Sequence, residues 1–223
     1  FSLVRTRNPA CRSLSLLPDT FILSLYPHQQ HPGLAGRLVA ALAGRGVSLI
    51  SLGASPGALA AVMADASRDA ALEAVFDAFA FPSYKSPAEF LAVFSPAAFP
   101  REVVAAFDEK TIKIYGIKEN RGLDLWRLTL TGAGLSAWAS GLIALGDAGV
   151  KAPYVSAVPG PAGEWLAAFC TPGGQQARTG FLLEVFLPGL KPHLTPRVTE
   201  ITLTGPHFGD RFGIAGAFAG SLR

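Results

Sequence analysis

The sequence is poor in the residues from which covalent, metal and catalytic sites are built. It contains 2 cysteines and 4 histidines among 223 residues. Cys11 and Cys170 are far apart and lack metal-ligand spacing, so we read them as free buried thiols, which excludes a disulfide framework and favours a reducing, cytoplasmic setting. His28 and His31 share one segment without a neighbouring carboxylate. We therefore expect no metal ion and no cofactor.

Charge is scarce as well, because only 16% of the residues are charged and the formal net charge is +3. The basic residues are scattered, and no strand carries the aromatic core of an RNA-binding sheet, so we expect no nucleic-acid binding. Half of the sequence is hydrophobic, which allows a sizeable core and argues against disorder. The uncharged runs 46–64 and 128–146 are long enough to span a bilayer. Turn residues interrupt both runs, however, so we expect no membrane insertion.

Motifs of catalysis are also missing. No Lys-Ser/Thr pair of a phosphate loop follows the glycines near Gly160 or Gly205, and Cys170 has no partner in the sequence that would activate it. We therefore predict that the chain is not an enzyme and carries no catalytic residue. Because it begins with Phe1 rather than Met, we expect it to be part of a longer chain.

The first half of the sequence contains a regular alternation of strand and helix patterns. Short apolar runs bounded by turn residues predict strands, and apolar residues spaced by three and four predict helices. In order, they predict a strand, a helix, two strands joined by a Pro-Gly turn, a second helix and a fourth strand: residues 21–26, 34–45, 47–52, 58–64, 67–80 and 90–94. This order is that of a split β-α-β-β-α-β unit.

The pattern recurs in the second half, where an additional hairpin precedes the first helix. The predicted elements are strands at 111–117 and 123–130, a helix at 135–145, strands at 154–158 and 165–169, a helix at 181–187 and a strand at 198–204. A period of roughly 75–105 residues indicates tandem units rather than a solenoid. We therefore divide the chain into a lead-in at 1–18, one unit at 19–100 and a second at 101–223. The second unit carries an extra C-terminal strand, which completes its sheet, and a helix at 214–222.

On these residues the chain resembles a pair of ACT domains of the kind found in the regulatory half of aspartokinases. The resemblance is carried mainly by the first unit, by the strand before His31-Pro32-Gly33-Leu34 and by the segment from Gly46-Val47 through Ile50. It implies an α+β fold of two tandem ferredoxin-like units, each with βαββαβ order, an antiparallel four-stranded sheet and helices on one face. It also implies that the sheets align edge to edge, within the chain or in a homodimer.

The same resemblance implies a regulatory module that binds a small molecule, an amino acid, and has no catalytic activity of its own. Main-chain amides at the start of the first helix suit a carboxylate, and Gly33 allows close approach to the backbone. The predicted ligand-binding residues lie before and after that helix: His28, Gln30, His31, Pro32, Gly33, Leu34, Ser48, Ile50 and Ser51.

An alternative function fits the same residues. Pro-Gly at a strand–helix junction is also an ordinary turn device, and Ser51 can serve only to satisfy the local backbone. The chain would then be an interaction or dimerisation module that keeps the fold without binding a ligand. A screen for binding of the amino acids separates the two functions.

Overall fold

The computed structural model describes residues 17–54, 57–93 and 114–205. They form seven strands and five α-helices, and all seven strands belong to one antiparallel sheet. The strands are β1 (Thr20–Leu25), β2 (Leu49–Ala54), β3 (Leu59–Ala64), β4 (Gly116–Leu130), β5 (Val155–Pro159), β6 (Trp165–Pro172) and β7 (His193–Thr204). The helices are α1 (Pro32–Gly44), α2 (Arg68–Ala78), α3 (Pro87–Val93), α4 (Gly134–Asp147) and α5 (Gln176–Phe186), and a 3-10 turn (Asp65–Ser67) precedes α2.

The strand order divides the sheet into two halves that follow the chain. β1, β3 and β2 lie side by side, and β5, β6, β4 and β7 continue the sheet beyond β2. The halves meet where β2 runs antiparallel to β5, with Leu52 opposite Ala157 and Gly53 opposite Ser156. An α+β fold is therefore confirmed. One continuous seven-stranded sheet takes the place of the two four-stranded sheets that were predicted.

The first half has three strands among the described residues, because the predicted fourth strand at 90–94 is helical where the structure describes it. Pro87 opens α3, where a proline costs no hydrogen bond. The Ser86 hydroxyl accepts the Glu89 amide at 3.2 Å, and the Glu89 carboxylate accepts the Lys85 amide at 2.7 Å. This reciprocal capping starts a helix. The capping therefore selects a helix, whereas the short apolar run alone is compatible with either a helix or a strand.

The second half follows β-α-β-β-α-β order along the chain, with one difference from the prediction. The hairpin predicted from 111–117 and 123–130 is instead the single strand β4, which pairs with both β6 and β7. Gly122 has φ +72°, and the register with β7 shifts beside it, so it serves a bulge and not a turn. The predicted strand at 198–204 is confirmed as part of β7. The predicted helix at 214–222 lies outside the described residues.

Among the described residues, the helices cover one face of the sheet and none covers the other, which we call the open face. Along β3 the side chains of Leu59, Ala61 and Met63 are fully buried, whereas the alternate residues Ala60 and Val62 are half-buried. Buried strand residues join the inner faces of the helices in one hydrophobic core. Within the described ranges, no helix is both long and apolar enough to cross a membrane.

Two helices that pack together in this core, α1 and α4, end in the same way. Gly46 and Gly149 follow them with φ of +69° and +75°. The next residue in each case, Val47 or Val150, donates its amide to the carbonyl five residues earlier at 2.9 Å. Both ends are Schellman motifs built from Leu-x-x-x-Gly-Val, which require a left-handed residue and so favour glycine. This repeat aligns Leu42 of the first half with Leu145 of the second.

Candidate functional site

The loop before α1 carries most of the predicted ligand-binding residues, and the structure brings them together. His28 is fully buried, His31 caps α1, and Pro32 and Gly33 form its buried first turn. The Gln30 carbonyl accepts the Ala152 amide from the second half at 2.8 Å. The loop therefore lies at a corner between the halves, which we call the first corner.

The imidazole of His31 fills this first corner. A Cβ placed on Gly33 would lie 2.8 Å from the His31 Cε1, and one on Gly146 would lie 2.8 Å from the His31 Nδ1 and 2.9 Å from the Gly33 amide nitrogen. The ring therefore lies against both glycines, between the start of α1 and the end of α4. The close approach that Gly33 allows is made here by a side chain of the protein and by α4.

The remaining predicted residues lie elsewhere. Ser48 follows the far end of α1, which is about 20 Å long, so it is separated from His31 by the length of the helix. Ile50 lies at a register shift in β2. Ser51 is paired with Val62, which places its side chain on the open face of the sheet. The predicted set is thus divided among the first corner, a second corner at the start of β2, and the open face.

The second corner contains a pocket of about 310 Å³ where α4 begins beside the end of α1 and the start of β2. Seven of its nine lining residues are apolar, none is charged, and two carry hydroxyl groups. The lining residues are Val39, Leu42, Ala43, Val47, Ser48, Leu49, Leu135, Ser136 and Trp165. The pocket is therefore formed by both halves of the chain, and its walls are largely hydrophobic.

The two corners are counterparts in the internal repeat. His31 and Gly134 both stand eleven residues before the aligned leucines, Leu42 and Leu145. The aligned position therefore carries an imidazole in the first half and no side chain in the second; the pocket of the second corner is lined by the two residues that follow Gly134. Sequence reasoning missed Leu135, Ser136 and Trp165. The repeated Leu-x-x-x-Gly-Val motif could have found them, because it aligns the start of α4 with the predicted site at the start of α1.

Among the described residues, the Cys170 thiol is a buried titratable group with a shifted pKa. Burial, with smaller contributions from Glu200 and Asp124, raises the pKa of the Cys170 thiol from 9.0 to about 11. Asp124 is 2% exposed, and its Oδ2 has no hydrogen-bond partner among the described residues. In that part of the chain no three His, Cys, Asp or Glu side chains cluster as metal ligands.

The fold defines an α+β protein with one continuous sheet and a small pocket lined by both halves of the chain. Compared with solved structures, the chain is similar to the protein in "Crystal Structure of Aspartate Kinase from Synechocystis", with a TM-score of 0.69 and 13% sequence identity. The match covers 99% of this chain and 38% of that chain. The resemblance to aspartokinases is thereby confirmed at the level of the fold. No protein-family model and no curated protein sequence matches the chain.

Proposed function

We propose that the chain is a regulatory module that binds a small molecule, an amino acid, in the pocket of the second corner, and has no catalytic activity of its own. The observation that carries the proposal is the pocket itself, which both halves line where the counterpart corner is filled by His31. A cytoplasmic setting belongs to the proposal, because Cys170 is a free buried thiol.

We interpret the two halves as a pair of ferredoxin-like ACT units. The second half has sheet order β5-β6-β4-β7 and the first β2-β3-β1, so their strands correspond one to one except for β7. The likeness to the aspartate kinase, which this chain matches over 38% of that chain's length, supports placement beside a catalytic region. A ligand that touches both halves can shift such a neighbour between states, by as much as its affinity differs between them.

The lining of the pocket favours an amino acid with an apolar side chain. Val39, Leu42 and Trp165 offer hydrophobic contact, while the hydroxyls of Ser48 and Ser136 can bind the polar end. No lining residue is charged, and the ligand's own ammonium and carboxylate groups already occupy the two hydroxyls, so a charged side chain would be buried without a partner, which costs several kcal/mol. Lysine, arginine, aspartate and glutamate are therefore disfavoured.

A thermal-shift screen of the twenty amino acids tests the proposal. A ligand at about 100 times its dissociation constant adds about 2.7 kcal/mol to the free energy of unfolding. We expect apolar amino acids to give this stabilisation. Ser136→Phe fills the pocket and should abolish the effect. Ser140 lies one turn further along α4, outside the lining of the pocket, so the control variant Ser140→Phe should retain the stabilisation. Absence of stabilisation by every amino acid would contradict ligand binding.

A second function, interaction without a ligand, is favoured by the edge of the sheet. β1 carries no charged residue and pairs only with β3 among the described residues, and Ile22 is 67% exposed. Proteins usually protect such edges against pairing with other chains. If this edge pairs with a second copy, sedimentation equilibrium should show a dimer that Ile22→Lys dissociates. A monomer at all concentrations would contradict this function.

A further inference from the structure

The open face of the sheet contains a broad depression that is separate from both corners. It has a volume of about 920 Å³ and lies over β4, β5 and β6, with a wall formed by the loop between α5 and β7. Strand register arranges its floor in two rows across the sheet: His193, Arg127, Ala168 and Ser156 in one, and Thr129, Leu166 and Val158 in the next. Polar and apolar groups are therefore presented side by side on a rigid surface.

The charges of the depression are all of one sign. Arg127, Lys191 and His193 line it, and no acidic residue does. Arg37, Arg45 and Arg121 each form an ion pair with a carboxylate. Arg127 forms no such pair with any described residue. Two permanent positive charges thus face the same space without compensation.

Neighbouring side chains hold the guanidinium of Arg127 in place. Its Nη2 lies 2.9 Å from the His193 Nδ1 and 3.5 Å from the Thr195 Oγ1. Only one of its nitrogens takes part in these contacts, so the others remain for a ligand. A guanidinium that is fixed before binding loses less side-chain entropy when it binds an anion.

Hydroxyl and apolar groups complete the depression. The Ser156 Oγ accepts the Tyr154 hydroxyl at 2.9 Å, which leaves its own hydrogen to donate. Thr129 lies in the second row of the floor, directly opposite Leu166. Leu166 and Val158 are exposed by 41% and 43% and offer a hydrophobic floor. Two cations with hydroxyl donors match a doubly charged phosphate, and the apolar floor matches an organic group attached to it.

We propose that this depression is a second binding site, for a small organic phosphate monoester. Arg127 and Lys191 bind the phosphate oxygens, Thr129 and Ser156 donate hydrogen bonds, and the organic group lies on Leu166 and Val158. No Phe, Tyr or Trp side chain lines the depression, so the broad aromatic surface on which a nucleobase commonly stacks is missing from its lining. The site is independent of the second corner, on the other face of the sheet.

Isothermal titration of the full chain with glycerol 3-phosphate, at about 0.15 M salt to screen diffuse attraction, tests the proposal. We expect saturable binding that is about tenfold or more weaker in Arg127→Gln and in Lys191→Gln, since each variant removes one charge-assisted contact. Arg121→Gln is the matched control: it lies on the same strand but outside the depression, and should bind as the unaltered chain does.

The outcomes separate the alternatives. Absence of binding at this salt concentration, or equal losses in Arg127→Gln and Arg121→Gln, would overturn the site. Tight binding of a single-stranded RNA oligomer together with no binding of glycerol 3-phosphate would also overturn it, and would indicate a polyanion surface. Circular dichroism of each variant shows whether a lost signal reflects unfolding, and the second substitution in the depression keeps the test decisive if one variant does not fold.

Discussion

Replacement of Gly36 by alanine tests how α1 and α4 hold the two halves together. A Cβ at this position would clash with the carbonyl oxygen of Ala139 and lie 2.8 Å from the Ile143 Cγ1 and 3.1 Å from the Ile143 nitrogen. Real Cβ atoms essentially never approach other atoms closer than 3.0 Å. Because the nearest atom, the Ala139 carbonyl oxygen, belongs to the backbone of α4, the clash cannot be relieved by turning a side chain.

The change in the free energy of unfolding caused by Gly36→Ala follows from two opposing effects. Extra volume in a packed interior costs about 1–3 kcal/mol, while alanine in place of glycine inside a helix gains about 0.5–1 kcal/mol. Gly44→Ala, at the other end of α1, makes the same change where nothing lies within 4 Å. It should leave the protein unchanged or up to about 1 kcal/mol more stable. Since the propensity gain is common to both, the difference of about 1–3 kcal/mol isolates the helix contact.

Urea denaturation followed by circular dichroism measures both variants. We expect a lower urea midpoint for Gly36→Ala than for Gly44→Ala. In thermal unfolding, the Tm of Gly36→Ala should be lower by about 2–4 °C for each kcal/mol of difference in stability. Equal stabilities, or a more stable Gly36→Ala, would refute the inference that backbone contact between α1 and α4 joins the halves.

Four further predictions concern three single residues. In a Cys11→Ser background Cys170 should resist thiol reagents at pH 8, because its pKa of about 11 leaves it protonated; rapid labelling in the native state would contradict this. The same pKa lies above that of the unfolded thiol, so its contribution to stability is complete below pH 9.0 and is lost as the pH rises through about 11. A pH series that compares Cys170→Ala with its parent should show this loss. Asp124→Val should raise the free energy of unfolding in urea by about 1–3 kcal/mol, since it removes a buried oxygen that has no hydrogen-bond partner among the described residues; a decrease would show that the carboxylate is paired. Gly46→Ala should cost about 1 kcal/mol by the same assay, because φ is +69° there, and no loss would show that the motif relaxes.

The elements predicted best are those whose signals are local. α1 and α4 combine an apolar stripe with a glycine stop, and β3, β5 and β6 are apolar runs between turn residues. The helix at α3 was predicted as a strand because a five-residue apolar run fits either state. The capping by Ser86 and Glu89, which decides it, is also visible in the sequence as Ser-x-x-Glu.

Long-range partners account for the other differences. Gly122 has a positive φ, which serves a turn or a bulge equally well, and β7 selects the bulge by pairing with β4 on both sides of Gly122. Gly33 likewise permits the approach of a ligand or of another helix. The atoms nearest to a Cβ on Gly33 belong to the His31 ring, and the next belongs to Ile143 of α4, a neighbour that the local sequence does not show. Predictions that depended on what lies across an interface were therefore the least certain part of the site.

The first and second corners differ in the side chains at aligned positions. α1 and α4 share their C-terminal motif. Gly36 packs against Ala139, and the two residues are aligned, because each lies six residues before the aligned leucine, Leu42 or Leu145. The two helices thus share a C-terminal motif and contact each other at aligned positions. The aligned residues at their N-terminal ends differ, because His31 of the first half corresponds to Gly134 of the second. A ligand entering the first corner would have to displace a ring held between two glycines, whereas the second corner needs no rearrangement. We therefore expect a calorimetric stoichiometry of one amino acid per chain, and two in His31→Gly, while a value of two for the unaltered chain would contradict the closed first corner.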